Sequence, residues 1–503
     1  MSRNAVAATR GAEAAPQNAP ADPSYRRRWW ILLVVSLSML MGVLDGTIVN
    51  IALPSAQHDL GFSDADRQWV VTAYALAFGS LLLLGGRVAD LVGQKVTFLV
   101  GLAGFAAASM VGGAANGFAM LVVARAVQGL FAALLAPSAL SILMTTFTRP
   151  RERAKAFTVA GSIAGAGGAI GLILGGVLTQ YLDWRWTMYV NVAFAGVAFV
   201  GGAALLHRTP RDTSARLDVL GTLLVSVGLF CLVYGFSTAE THGWGAPVTW
   251  GVLTAGAVLV AVFVWWQTRA AYPLLPLRVL LDRNRGASFA ALFVTGAGMF
   301  GVFLFLTYYL QQSLGYSALK TGFAFLPMIV ASSSASAVAN NVLVRRTGPK
   351  PVVPLGMAVA AVGLVWMTTL DLRSGYLTQV LPQLVLVGVG LGTVIAPAMS
   401  LATSGVAAAD AGVASAAVNT VQQVGGSIGV ALLSTTASHA ATDYLSGHDP
   451  KAPGVLAQAG LEGYSTAYWW SAAVFVAGLV ATALLYRRGV PQHDESDAPV
   501  MHM

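Results

Sequence analysis

Charge is scarce in this sequence. Asp, Glu, Lys and Arg make up 10% of its 503 residues against 56% hydrophobic, and its mean hydropathy is +0.69. A water-soluble globule usually carries about 25% charged residues, so this composition excludes one and describes a polytopic membrane protein. Cysteine is nearly absent: Cys231 stands alone in an apolar run, which excludes an intrachain disulfide and a cysteine-based metal cluster. The 7 histidines are scattered among loops and tails without metal-ligand spacing, so no metal site is expected. No lysine sits in the G-x-x-x-x-G-K-[ST] context that cradles phosphate; even Lys320-Thr321 follows Leu319 where glycine is required. Clustered nucleophiles and bases are missing from the apolar runs as well, so an enzyme is not expected. ATP hydrolysis is therefore not expected of this chain and no cofactor is implied; a transporter of this composition would draw on an ion gradient.

What is present is a long series of apolar runs. Read at roughly 20 residues per crossing of a ~30 Å hydrocarbon core, they give about 14 spans, centred from Val35 to Phe475. The net charge of +8 points away from nucleic acid because of where the bases fall. One set of alternate loops takes Arg26 to Arg28, Arg87 and Lys95, Arg149 to Lys155, Arg208 to Arg216, Arg269 to Arg285, Arg345 to Lys350, and Arg487 with Arg488. The opposite loops hold Arg67, Arg185, Lys320, Arg373 and Lys451, and Arg125 lies within a span. By the positive-inside rule both termini are expected in the cytoplasm and the chain in the cell membrane.

The expected organisation is all-α and six, two, six. Residues 1–28 read as a disordered cytoplasmic tail, without the apolar core and cleavage site of a signal peptide. Residues 29–206 read as a first six-helix bundle, 207–280 as a linker with two inserted spans, 281–488 as a second bundle and 489–503 as a polar tail. Pro273 and Pro276 interrupt the basic linker before the second bundle.

Asp45 stands out, an acid inside the first apolar run, in Leu44-Asp-Gly-Thr-Ile-Val-Asn-Ile-Ala-Leu-Pro54. A charge at membrane depth is costly and by default marks a functional pathway; the plain alternative is a structural pair. At 1.5 Å per residue, Asp45 lies roughly 12 Å and Arg125 roughly 10 Å from the outer interface, so the two opposite charges can meet. Arg125 cannot deprotonate, and either biases the carboxylate or packs against backbone carbonyls.

Three further runs carry a pattern. Gly86-Arg-Val-Ala-Asp90-Leu-Val-Gly93-Gln-Lys95 makes a charged turn after the second span, and Leu121-Val-Val-Ala-Arg125-Ala-Val-Gln128-Gly129 lies in the fourth. In the fifth, Gly167, Gly171 and Gly175 recur every four residues on one helix face, followed by Gly176. Together with Leu44 to Pro54 these resemble the 14-spanner drug:proton antiporter branch of the major facilitator superfamily. Asp183-Trp-Arg-Trp186 with Asn191, and Gly412-Val-Ala-Ser415 through Asn419, Gln422, Gly425, Gly426 and Gly429, are similar to that family too. The chain departs from the pattern at Leu91 and Gln94, where bases are usual, and at Leu172, where the antiporter motif has proline.

The resemblance implies an exporter of drugs or antibiotics that works by alternating access, exchanging cargo for protons. Asp45 would couple proton and substrate with Arg125, and Gly86, Asp90, Gly93 and Lys95 would form a cytoplasmic gate. The span-five glycines would pack helices closely. Phe300, Phe303, Tyr308, Asn419 and Gln422 read either as a pocket for apolar cargo, cations included through aromatic faces, or as ordinary packing and interhelical bonding. The alternative function is export or import of one endogenous metabolite on the same fold. The expected partners are a small molecule, protons and the bilayer.

Overall fold

In lipid, every backbone N–H and C=O must be satisfied within the chain, which leaves helices as the natural form for these apolar runs. The computed structural model describes residues 23–489 except 64–65, 148, 208–217, 272, 275–281, 405, 407–410 and 450, and it holds no strand among them. Residues 1–22 and 490–503 of the expected tails, and most of the 207–280 linker before Val219 and after Leu274, lie outside the described residues, whereas residues 23–28, expected in the disordered tail, open the first helix.

The first group of helices is α1 (Pro23–Leu60), α2 (Arg67–Val92), α3 (Gln94–Gly113), α4 (Phe118–Thr146), α5 (Pro150–Tyr181) and α6 (Trp186–Leu205). The hairpin α7 (Val219–His242) and α8 (Pro247–Gln267) follows. Next come α9 (Arg283–Tyr308), α10 (Ala318–Val338), α11 (Pro349–Met367), α12 (Leu381–Thr403), α13 (Ala411–Ser446) and α14 (Val455–Leu485). Wider π turns extend α9 and α10 at their C-terminal ends and precede α12.

Packing repeats between the first and last groups. In the first, α1 packs on α5 and α6, α2 on α4, and α3 on α4 and α6; in the last, α9 packs on α13 and α14, α10 on α12, and α11 on α12 and α14. The same turn recurs too. Gly93 (φ 102°) ends α2 and starts α3, and Gly348 (φ 80°) stands between the α10 extension and α11. Positive φ at both corners explains glycine there.

The two groups meet along two seams, α2 against α13 and α5 against α10. The hairpin breaks this symmetry, because α7 rests on α2 and α13, with Ser226 Oγ donating to the Ser80 carbonyl at 3.0 Å. Toward the end of the molecule that carries Leu60 and Ser313, the groups share one apolar core, with Ile48, Val71 and Leu172 clustered with Phe305, Phe325 and Leu391. Toward the opposite end the first group has its own separate core around Leu32, Phe98, Leu143 and Phe147.

Among the described residues, 11 helices are long and apolar enough to cross a membrane, and Ala166–Tyr181 is a shorter apolar stretch. The expectation of 14 spans is therefore met only in part by length and composition. The helices outside that set, α2, α5 and α13, all take part in the seams.

Candidate functional site

The centre of the site is Asp45 in α1, 0% exposed and the one fully buried carboxylate among the described residues. Its Oδ2 accepts from Arg125 Nη1 at 2.6 Å, and Oδ1 accepts from Asn191 Nδ2 at 2.7 Å and more weakly from Gln128 Nε2 at 3.4 Å. Helices α1, α4 and α6 thus converge on one carboxylate. Arg125, 2% exposed, also donates through Nη1 to Gln128 Oε1 at 2.8 Å and through Nε to the Val70 carbonyl of α2 at 3.1 Å. Gln128 in turn donates to Ser109 Oγ of α3 at 2.7 Å. The guanidinium lies 4.5 Å from the ring centroid of Tyr74, whose ring stacks on Phe78 one turn along α2.

This network explains how the charges are tolerated. Buried ion pairs persist when further hydrogen bonds satisfy the remaining donors and acceptors, and here amide, hydroxyl and backbone groups do so. Breaking one partner of such a pair typically costs about 3–5 kcal/mol, so a change of charge on Asp45 acts strongly on Arg125.

Beside the network is a cavity of about 390 Å³ between the two helix groups. Its wall includes Thr47 and Asn50 of α1, Tyr74 and Phe78 of α2, and Arg125 of α4. Across from them stand Met299 and Phe303 of α9 and Asn419, Gln422 and Gln423 of α13. Asp45 does not line the cavity. Direct competition of cargo and proton at its carboxylate, the arrangement expected for a coupling acid in a binding pocket, is not the geometry here: Arg125 is the member of the pair that meets the cavity.

Of the expected pocket residues, Phe303, Asn419 and Gln422 line the cavity. Tyr308 does not, and this is a correction. It is fully buried where the two groups close on each other, its hydroxyl donating to Gln57 Oε1 at 2.6 Å and the Arg67 guanidinium lying 4.2 Å from its ring centroid. Five residues separate it from Phe303, roughly 140° around a helix of 3.6 residues per turn, so the two cannot share a face. The side chain of Phe300 lies outside the described residues.

The glycines of α5 serve two contacts. A Cβ on Gly167 would approach Leu40, one on Gly171 would strike Thr47 and Leu44, and one on Gly175 would meet Ile48 at 2.9 Å, so these three seat α5 on α1. A Cβ on Gly176 would instead lie 2.5 Å from Leu319 Cα of α10. Leu172, which stands where the resembled motif has proline, is fully buried in an unbroken α5, and its carbonyl abuts Gly322 of α10.

The expected gate resolves differently. Gly93 makes the α2–α3 corner, but Lys95 Nζ donates to the carbonyls of Ala203 at 2.8 Å and Leu206 at 2.5 Å, the end of α6 in its own group. A cation at a helix C-terminus is favoured by the unsatisfied carbonyls there. A Cβ on Gly86 would only touch Pro137 at 3.7 Å, whereas Gly85 is the residue pressed onto α4. The side chain of Asp90 lies outside the described residues.

Tyr74, Asn50 and Asn191 were not among the expected site residues. Asn50 lies in the Asp45 motif and Asn191 interrupts an apolar helix, which is a usable signal; Tyr74 in a mixed apolar run gives none.

Comparison with known proteins settles the family. The Major Facilitator Superfamily profile matches residues 35–430. This chain belongs to that superfamily. The chain is 47% identical to the puromycin resistance protein pur8 of Streptomyces alboniger over 461 residues, covering 91% of this chain and 90% of that one. It is 38% identical to the cephamycin export protein CmcT of Amycolatopsis lactamdurans, with 80% and 84% covered. It is also 36% identical to the tetracenomycin C resistance and export protein of Streptomyces glaucescens, with 82% and 77% covered. A solved POT family peptide transporter shares the fold, with TM-score 0.67 at 16% identity over 93% of this chain and 98% of that one. So does an inward-facing bacterial homolog of the human lysosomal transporter Spinster, with TM-score 0.64 at 16% identity over 92% and 97%. The chain is thus a superfamily transporter and not an enzyme.

Proposed function

We propose that this transporter exports small antibiotic-like molecules across the cell membrane in exchange for protons, with Asp45 carrying the proton and Arg125 passing its effect to the cargo. The end with Leu60 and Ser313 is read as external and both termini as cytoplasmic, from the distribution of basic residues. Helices α2, α5 and α13 are read as spans beside the 11 that qualify by composition. The relatives named for puromycin, cephamycin and tetracenomycin support an antibiotic as the class of cargo.

The observation that carries the reading is a buried carboxylate paired at 2.6 Å with an arginine that borders the central cavity. When a proton neutralises Asp45, Arg125 keeps its charge and loses the partner that made its burial tolerable. The cavity beside it, which Arg125 already borders, is the nearest space into which the guanidinium can turn. Cargo and a released Arg125 then compete for that space, which makes proton binding and cargo binding mutually exclusive as exchange requires. Alternating access between the two groups would carry cargo outward and the proton inward.

The test is drug efflux from proteoliposomes under an imposed pH gradient, comparing the parent with Asp45→Asn. The variant, which like protonated Asp45 leaves Arg125 without its partner, is expected to lose at least about tenfold of the gradient-driven rate, consistent with a few kcal/mol on breaking a buried pair, and to bind cargo more weakly with little dependence on pH. Undiminished, pH-driven efflux by Asp45→Asn removes Asp45 from the coupling role.

A further inference from the structure

The wall of the cavity says something about the charge of its cargo. No carboxylate is among its described lining residues, and its one formal charge is the guanidinium of Arg125. Asp45, the counter-ion, is sealed behind the wall with both oxygens engaged by Arg125, Asn191 and Gln128. With Asp45 ionised, a molecule in the cavity faces the positive end of the pair; with Asp45 protonated, it faces an uncompensated positive charge. A cation is disfavoured in both states.

The polar groups that remain are neutral. Asn419 Nδ2 is occupied by the Ser415 carbonyl at 3.0 Å. The side-chain amides of Gln422 and Gln423 line the cavity and make no hydrogen bond with another described residue. Each offers two donors and an acceptor. The aromatic faces of Phe78, Phe105 and Phe303 complete an apolar lining. Cation–π attraction to such faces is a weaker pull than a counter-charge, and the face of Tyr74 already carries Arg125.

We propose that the cavity selects uncharged aromatic molecules bearing amide, carbonyl or hydroxyl groups and rejects permanent cations, with Gln422 and Gln423 reading the polar groups and Arg125 setting the sign of charge. This rests on the export reading, and it narrows the sequence expectation, which admitted cations.

The experiment uses two dansyl amides that differ only at the tip of the arm, one ending in trimethylammonium and the other in its uncharged tert-butyl isostere. Equilibrium binding of each to the purified full chain is read from dansyl fluorescence. The uncharged probe is expected to bind at least tenfold more tightly to the parent. Gln422→Glu and Gln423→Glu, made separately, each place a carboxylate in the wall and should bring the ratio below threefold or invert it. Gln422→Leu should weaken the uncharged probe while leaving the cationic one excluded. Equal or tighter binding of the quaternary probe by the parent overturns the proposal, and so does binding of neither probe. Transport of the uncharged probe in proteoliposomes is measured alongside: a probe that binds with the expected ratio but is not moved by a pH gradient sinks the export reading and leaves the selectivity standing.

Discussion

The two seams that join the helix groups are related by the internal repeat, yet they are built differently. At α5–α10 backbone meets backbone: a Cβ on Gly176 would lie 2.5 Å from Leu319 Cα and 2.9 Å from the Ala318 carbonyl oxygen, and Gly322 rests on the Leu172 carbonyl. At α2–α13 the corresponding approach is softer, since a Cβ on Gly79 would lie 3.1 Å from the Cβ of Gln423, with the nearest backbone atom, the Thr420 carbonyl oxygen, at 3.6 Å. The second seam is also the one that α7 covers and the one whose helices line the cavity through Tyr74, Phe78, Gln422 and Gln423. The comparison teaches that the repeat sets where the groups touch, while local residues decide what each contact does. One seam is a tight closure of small residues; the other combines closure with a cavity wall and is covered by an inserted helix.

Placing the same substitution at both seams separates these roles. Gly176→Ala pushes a methyl group into the backbone of α10, which cannot yield as a side chain can. Overpacking of this kind costs about 1–3 kcal/mol, so drug efflux should fall roughly tenfold or more at unchanged protein level in the membrane. Gly79→Ala meets Gln423 Cβ at 3.1 Å with no backbone atom nearer than 3.6 Å, so α13 needs to give by only a few tenths of an ångström, and export should fall less than about threefold, within ~0.6 kcal/mol. Equal losses from the two alanines would erase the distinction between the seams.

A smaller effect belongs to the contact between the groups at the end that carries Leu60 and Ser313, where Tyr308 donates to Gln57 and Gln311 Nε2 donates to the Ile51 carbonyl at 3.0 Å. Tyr308→Phe removes one neutral hydrogen bond, worth about 0.5–1.5 kcal/mol net, and keeps the ring under Arg67. The population open at that end should rise by about twofold to tenfold, read as faster thiol labelling of Gln311→Cys in a Cys231→Ser background. Labelling that does not change would show that this hydrogen bond plays no part in holding that end shut. Smallest of all is Ser226→Ala, which removes the α7 hydroxyl from the Ser80 carbonyl. Because apolar packing of Val225 and Leu229 also holds α7, thermal stability should drop by no more than ~1 kcal/mol. A large drop would mean that the hairpin depends on that polar contact.

Much of this was legible in the residue string, and the failures have physical causes. The all-helical membrane class followed from scarce charge and long apolar runs, and the meeting of Asp45 with Arg125 followed from matched depth at a fixed helical rise. Tyr308 was misplaced because apolar residues surround it on every side of α9, so no periodicity marked which face meets the cavity. Lys95 read as part of a gate, yet the end of α6, more than 100 residues away in the chain, captures it.

The sequence by itself determined that a carboxylate would be buried in a membrane and that an arginine would lie at its level, since hydropathy and helical rise are local properties. Only the tertiary structure decided which of the two meets the cavity. That depends on α1, α4 and α6 closing around Asp45 while Arg125 reaches past Tyr74 to the space between the groups. Burial is a property of surroundings drawn from distant parts of the chain, and the pattern along one helix does not contain it.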